Sequence, residues 1–242
     1  MSERQPRVLL KLSGEALCAP GGRGFDVAVA APLVSEIIAT VAAGVEVAVV
    51  VGAGNLFRGA ELAGSTVLRD SADRMGMLAT LMNGVFLRDL LLGSGTPAEL
   101  LTGIRSPETA DTFTRQRAVA ALEASKVVIC AGGTGHPFFT TDTAAALRAL
   151  EIGADRMLKA TKVDGVYNAD PNTDPSATRY DEITFDECLR QNLRILDQAA
   201  FALCRDNDLE IVVFDMHAPR AIARAAQGQI NVGATVGTRV HG

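Results

Sequence analysis

The chain has 242 residues, of which 48% are hydrophobic and only 5% aromatic, and it carries a formal net charge of −5 at neutral pH. That length and composition support one large core of Ala, Val, Leu and Ile, as in parallel strands covered by small-residue helices. The acidic balance, with no basic block and few aromatics, argues against bulk nucleic-acid binding and membrane-surface attachment.

Taken in chain order, the first residues lead straight into a strand with no apolar leader, and no apolar run looks long enough to cross a bilayer. Cys18, Cys130, Cys188 and Cys204 are far apart and form no CxxC, which reads as reduced, buried thiols of a cytoplasmic protein. Residues 8–12 read as a buried strand that contains Lys11 and ends in the small turn Ser13-Gly14. A lysine in such a strand costs free energy unless an anion receives it. Lys11 is therefore either a phosphate partner or an edge-strand lysine that reaches water. After a glycine-rich loop at residues 21–24, residues 27–43 have helical spacing and stop at Gly44. A second strand at 45–51 runs into Gly52-Ala-Gly-Asn-Leu-Phe-Arg-Gly59. Phe57 stands where a dinucleotide fingerprint needs its third glycine, and GxxxxGK[ST] occurs nowhere, so neither nucleotide motif is present. Arg58 suits a forked contact with an anion and equally suits the surface.

Residues 71–88 form a long apolar helix, with Ser71 or Asp73 near its start. Its Met75, Met77 and Met82 read as core or contact residues, and its small-residue face suits a partner subunit. A strand at 99–102 and a helix at 113–124 lead to the centre of the chain, a β-branched strand from Val127 that ends at Gly132, Gly133 and Gly135. Past Pro137, Thr140-Thr-Asp142 caps a helix. A strand, a glycine turn and a helix N-terminus make an anion site, because unpaired amides and the helix dipole face the turn. An ordinary βα turn uses the same residues. A strand at 154–161 follows, then a tight turn at Asp164-Gly165 and an excursion marked by Pro171 and Pro175. Thr184 caps a short helix with Glu187 at the box position, Asp197 opens another helix, residues 210–214 form a strand, and Pro219 begins a last helix. The alternation predicts a three-layer α/β/α sandwich with a mainly parallel central sheet, as a single domain over residues 1–242.

Five strings then fall in one register: residues 10–15 (LKLSGE), 54–59 (GNLFRG), 73–80 (DRMGMLAT), 133–142 (GTGHPFFTTD) and 159–167 (KATKVDGVY). Through them the chain resembles the bacterial uridylate kinases, within the amino-acid-kinase fold, from about residue 7 to the C-terminus. The resemblance implies transfer of the γ-phosphoryl group of Mg–ATP to UMP, with the metal carried by the nucleotide and not by direct protein ligands. It implies that Lys11, Leu12, Ser13, Gly14, Gly54 and Arg58 lie along the ATP phosphates, and that Thr161, Tyr167 and Asp170 hold the base and ribose end. UMP would contact Ala53, Asp73, Thr134, Gly135, His136, Pro137, Phe138, Phe139, Thr140 and Thr141. Asp142 would orient the active-site lysine, and Asp197 matches an acidic position tied to activity. The N-terminal part would serve mainly the acceptor and the C-terminal part mainly ATP. A cytoplasmic homohexamer, with UTP as inhibitor, is also implied.

Three departures qualify the match. Ala53 stands where glycine is frequent, and its methyl narrows the room for a phosphate. His136 replaces an asparagine, and neutral imidazole still donates one hydrogen bond, with an altered pH dependence. The stretch 93–99 lacks the basic positions that bind activating GTP in some relatives, so GTP activation is not carried over. Kinases of the same fold that act on a carboxylate or on another phosphate, and relatives that store metal oxoanions, remain the alternatives; an acidic Asp73 would repel a carboxylate acceptor.

Overall fold

The computed structural model describes residues 4–62, 64–171, 173–228 and 236–242; expectations touching residues 1–3 and Asn172 fall outside them. Among the described residues the strands are β1 (Arg7–Leu12), β2 (Glu46–Val51), β3 (Ala98–Thr102), β4 (Asp111–Thr112), β5 (Val127–Ala131), β6 (Arg156–Thr161), β7 (Glu182–Thr184), β8 (Glu210–Asp215) and β9 (Gly237–His241). They join into one sheet of order β4-β3-β5-β2-β1-β6-β8-β9-β7. Its ladders are parallel except for the antiparallel β8–β9 pair. The helices are α1 (Val27–Ala42), α2 (Arg69–Gly93), α3 (Arg115–Glu123), α4 (Thr141–Ile152), α5 (Phe185–Arg190), α6 (Gln198–Asp206) and α7 (Ala221–Ala226).

Period-two side-chain alternation divides every central strand between two cores. Val8, Leu10 and Leu12 of β1 join α1, α2 and α7 on one face. Leu9 joins α3, α4, α5 and α6 on the other. The expected three-layer architecture with a mainly parallel sheet is what forms. β1 lies at its middle, so the edge-strand alternative for Lys11 does not hold.

Thr140, Thr184 and Asp197 cap α4, α5 and α6 as their positions predict. Two helix starts differ from expectation. α2 begins at Arg69 behind Leu68, which makes no side-chain cap, so Asp73 lies one turn inside the helix and is released for other partners. The last helix begins at Ala221, behind Arg220 in the left-handed conformation, two residues beyond Pro219. α2, at 25 residues, is also long and apolar enough to cross a membrane by length and composition, contrary to the expectation from sequence. One face of it packs on β3 and β5, where Gly84 sits against Leu100 and Ala131. Its other face exposes Met75, Leu78 and Met82, while Met77 is buried.

Candidate active site

Lys11 and Lys159 are register partners on the adjacent parallel strands β1 and β6. Alternation sends both side chains to the face covered by α4, because their neighbours Leu10, Leu12, Leu158 and Ala160 fill the opposite core. Two adjacent cations repel unless an anion lies between them. Asp142, in the first turn of α4, supplies it: Oδ1 pairs with Lys11 Nζ at 2.6 Å and Oδ2 with Lys159 Nζ at 2.8 Å. The helix dipole favours a carboxylate there. Burial pushes the Asp142 carboxyl up, but the charges and hydrogen bonds of Lys11 and Lys159 outweigh it and hold it below the ordinary aspartate range. Burial pulls the Lys159 ammonium down; Asp142 offsets this in part, and the neighbouring Lys11 charge adds to it. Lys159 also donates to the Ile195 carbonyl at 2.5 Å.

Asp197 ties this cluster to a second helix. It caps α6 through Ala200 N at 2.9 Å, and accepts from the hydroxyls of Thr140 at 2.5 Å and Thr143 at 2.9 Å. Thr140 in turn accepts from the Asp142 amide at 3.0 Å. The N-termini of α4 and α6 are thereby locked to each other through one carboxylate.

The glycine turns close over the same strand ends. A Cβ on Gly14 would stand 2.4 Å from Asn55 Oδ1 and 2.6 Å from Gly52 O, so no other residue fits there. Behind this turn Asn55 and Asn83, both fully buried, exchange side-chain hydrogen bonds at 2.9 and 2.8 Å. Asn83 also donates to Gly52 O at 2.6 Å. Gly135, at φ +83°, crosses Gly103 so closely that a Cβ would meet its carbonyl oxygen at 2.4 Å.

Between these turns and α2 lies a cleft of about 210 Å³, lined by Ala53, Gly54, Asp73, Phe139, Thr140 and Thr141 from the expected set. Phe57, Gly59, Ala72, Gly76, Met77, Thr80 and Gly133 complete it. Asp73 accepts from the Phe138 amide at 2.8 Å and from Arg69 Nε at 2.9 Å, which fastens α2 to the loop before α4. Thr134, Gly135, His136, Pro137 and Phe138 border the cleft without lining it. There Thr134 Oγ1 bonds the His136 backbone, and Phe138 is held at φ +72° with Arg69 over its ring.

On the other side, Arg58 and Lys162 both reach Glu15, at 2.5 and 2.6 Å. The Thr161 hydroxyl donates to Val163 O at 2.6 Å, and Tyr167 Oη donates to Asp164 Oδ1 at 2.6 Å. A cavity of about 370 Å³ lies between α1 and residues 216–219, with Glu15 and Lys162 among its lining residues. The Leu12 side chain is wholly in the core, so only its backbone faces the site. Lys159, Glu15, Lys162, Thr143 and the two asparagines are the participants that sequence reasoning did not assign. A second lysine inside a buried strand was the signal available for Lys159.

Among the described residues no group of three His, Cys, Asp or Glu side chains is placed to hold a metal ion. Asp142 is engaged by lysines and Asp197 by threonines.

Ligands of parallel α/β sheets bind beyond the carboxyl ends of the strands. Here those ends carry glycine turns, two helix N-termini and several cations, an arrangement whose chemistry suits anions. The sequence pattern of the amino acid kinase family matches residues 6–215, and the chain belongs to that family. The crystal structure of a UMP kinase from Bacillus anthracis is similar with a TM-score of 0.92 and 36% identity, covering 99% of this chain and 97% of that one. A UMP kinase from Ureaplasma parvum gives 0.92 and 32%, covering 99% and 100%. A uridylate kinase from Archaeoglobus fulgidus gives 0.70 and 26%, covering 96% and 99%.

Proposed function

We propose that this chain is a uridylate kinase, which moves the γ-phosphoryl group of Mg–ATP to the phosphate of UMP and gives UDP and ADP in pyrimidine nucleotide synthesis. The observation that carries this reading is the Lys11–Asp142–Lys159 cluster at the strand ends, beside a cleft whose far wall bears Asp73. Likeness to two UMP kinases over 99% of the chain supports the choice of acceptor.

In this reading UMP occupies the cleft, with Asp73 accepting from a ribose hydroxyl and Ala53 and residues 134–141 around its phosphate and base. The second ionisation of a phosphate monoester lies at about 6, so the attacking oxygen is already anionic and needs no general base. Catalysis then rests on in-line positioning and on neutralising the transferred group. Lys11 and the turn Leu12-Ser13-Gly14 follow the ATP phosphates, with Gly54 and Arg58 opposite. Thr161, Tyr167 and Asp170 take the nucleoside end. Asp142 fixes Lys11 and Lys159 side by side, and Asp197 fixes the amides at the start of α4. Near the phosphate path Asp142 and Glu15 already hold cations and Asp197 accepts from threonine hydroxyls, which fits a magnesium ion carried by ATP. Such an ion, when bound, adds charge neutralisation between the outer phosphates.

The same reading makes residues 1–242 one working domain in the cytoplasm; all four cysteines are free and buried, as a reducing compartment favours. It also takes the exposed Met75, Leu78 and Met82 stripe of α2 as a contact between copies in a homohexamer. ADP release measured with UMP, CMP and acetylglutamate in turn tests the substrate. Turnover is expected with UMP, and a preference for acetylglutamate would overturn the assignment.

A further inference from the structure

Glu15, in the first turn of the 3-10 helix Gly14–Leu17, is bonded by two cations from two other loops. Oε1 accepts from Arg58 Nη2, on the loop after β2, and Oε2 from Lys162 Nζ, on the loop after β6. Its Cγ lies against Gly54, 3.8 Å from where a Cβ would stand. One carboxylate thus ties together the three loops that border the path proposed for the donor phosphates. All three side chains meet solvent, with 31%, 55% and 63% exposure for Glu15, Arg58 and Lys162. Exposed ion pairs are weak enough to exchange partners.

We propose that Glu15 is a placeholder anion, a positioning residue that keeps Arg58 and Lys162 over the donor-phosphate path and yields them to the incoming polyphosphate. Without it the two cations would repel each other and search many rotamers. With it they are ordered before the nucleotide arrives, a saving smaller than the repulsion its charge then exerts on the bound phosphates. A polyphosphate carries more charge than one carboxylate and matches the Arg58 fork, so exchange favours the ligand. The displaced carboxylate then sits beside the bound phosphates and repels them, which lowers affinity and speeds product release. The hydrogen bond and charge of Lys162, with the charge of Arg58, keep Glu15 ionised below the ordinary glutamate range, so it plays this part at neutral pH. The identity of the polyphosphate rests on the proposed kinase reading; the exchange itself does not.

The sign of the effect is the test. Calorimetric titration of the full chain with Mg–ADP and with metal-free inorganic tripolyphosphate compares the wild type with Glu15→Gln. Both ligands are expected to bind about five-fold tighter in the variant, with a matching fall in the KM for ATP and no change in the KM for UMP. In a Lys162→Met background the gain should shrink below about two-fold, because one recipient cation is gone. Glu15→Ala supplies a second measurement with the same expected sign. Unchanged or weaker tripolyphosphate binding overturns the proposal, and so does weakening confined to Mg–ADP, which would make Glu15 a contact of the metal. Should the wild type release no ADP with UMP while tripolyphosphate binding still tightens on loss of Glu15, the substrate assignment fails and the exchange stands.

Discussion

Asp142 and Glu15, at the same strand ends, each hold two cations, and their surroundings give them opposite characters. Asp142 and its partners Lys11 and Lys159 are only 14–16% exposed, on strands at the centre of the sheet and the first turn of a helix. Glu15 and its partners sit on loops and are at least 31% exposed. Little water reaches the first cluster to screen its charges or replace a lost partner, so its members are interdependent. The second is screened and exchangeable. One is suited to hold geometry through a reaction cycle, and the other to change partners within it.

The largest effect should follow the loss of Asp142. In Asp142→Ala, two register-paired lysines face each other without a counter-charge, and the fold should lose about 3 kcal/mol or more in urea denaturation, with phosphoryl transfer abolished. The folded carboxyl lies below the ordinary aspartate value of 3.8. Its stabilising contribution is therefore full above that value and is lost as pH falls through the depressed one. The stability gap between wild type and Asp142→Asn should be constant from neutrality to about pH 4–5 and close only below that. A gap that narrows between pH 7 and 5 would show that the buried cluster is no more tightly held than the exposed one.

Lys11→Ala comes next and separates chemistry from folding. Asp142 keeps Lys159, so the melting temperature should fall only modestly, while the single-turnover rate drops by about 10²–10³-fold. Near-normal turnover in that variant would remove Lys11 from the phosphate path.

The contrast also explains what could be foreseen from sequence. The strands, the caps at Thr140, Thr184 and Asp197, and the anomaly of Lys11 in an apolar run are local patterns, and they were legible. That Lys159 is the register partner of Lys11 was not, because register between strands almost 150 residues apart is set by packing and not by local sequence. The start of α2 was misplaced for a related reason: Ser71 and Asp73 have the chemistry of a cap, yet the helix begins at Arg69 and Asp73 turns to the Phe138 amide. The buried Asn55–Asn83 exchange joins two segments that carry no mutual signal in sequence. In sequence Glu15 is no more than one letter of a motif, since a glutamate on a loop acquires meaning from the cations that reach it.

Arg58→Ala probes the exposed cluster. Glu15 retains Lys162, so thermal stability should be unchanged, whereas the KM for ATP should rise several-fold at low salt. The difference from wild type should shrink as ionic strength rises, because the lost interaction is screened. A salt-independent loss of kcat would instead place Arg58 on the reacting group and give it the character of the buried cluster.

His136 offers the smallest effect and the finest discrimination. Its side chain is exposed on the loop that borders the acceptor cleft, and its backbone is already fixed by Thr134 through amide and carbonyl. The imidazole therefore does not hold the loop in shape; the Phe138 amide on Asp73 and the close crossing of Gly135 over Gly103 do that. His136→Asn, which restores a side-chain amide donor, should change the KM for UMP by less than about three-fold, consistent with gain or loss of one exposed hydrogen bond. The KM for ATP and the melting temperature should not move. A ten-fold or larger change in UMP affinity would mean that the loop closes over the acceptor and buries this side chain in the complex. The acceptor loop would then belong with the exchangeable elements of the site, and the rigid part would narrow to the strand ends and the two helix N-termini that Asp197 joins.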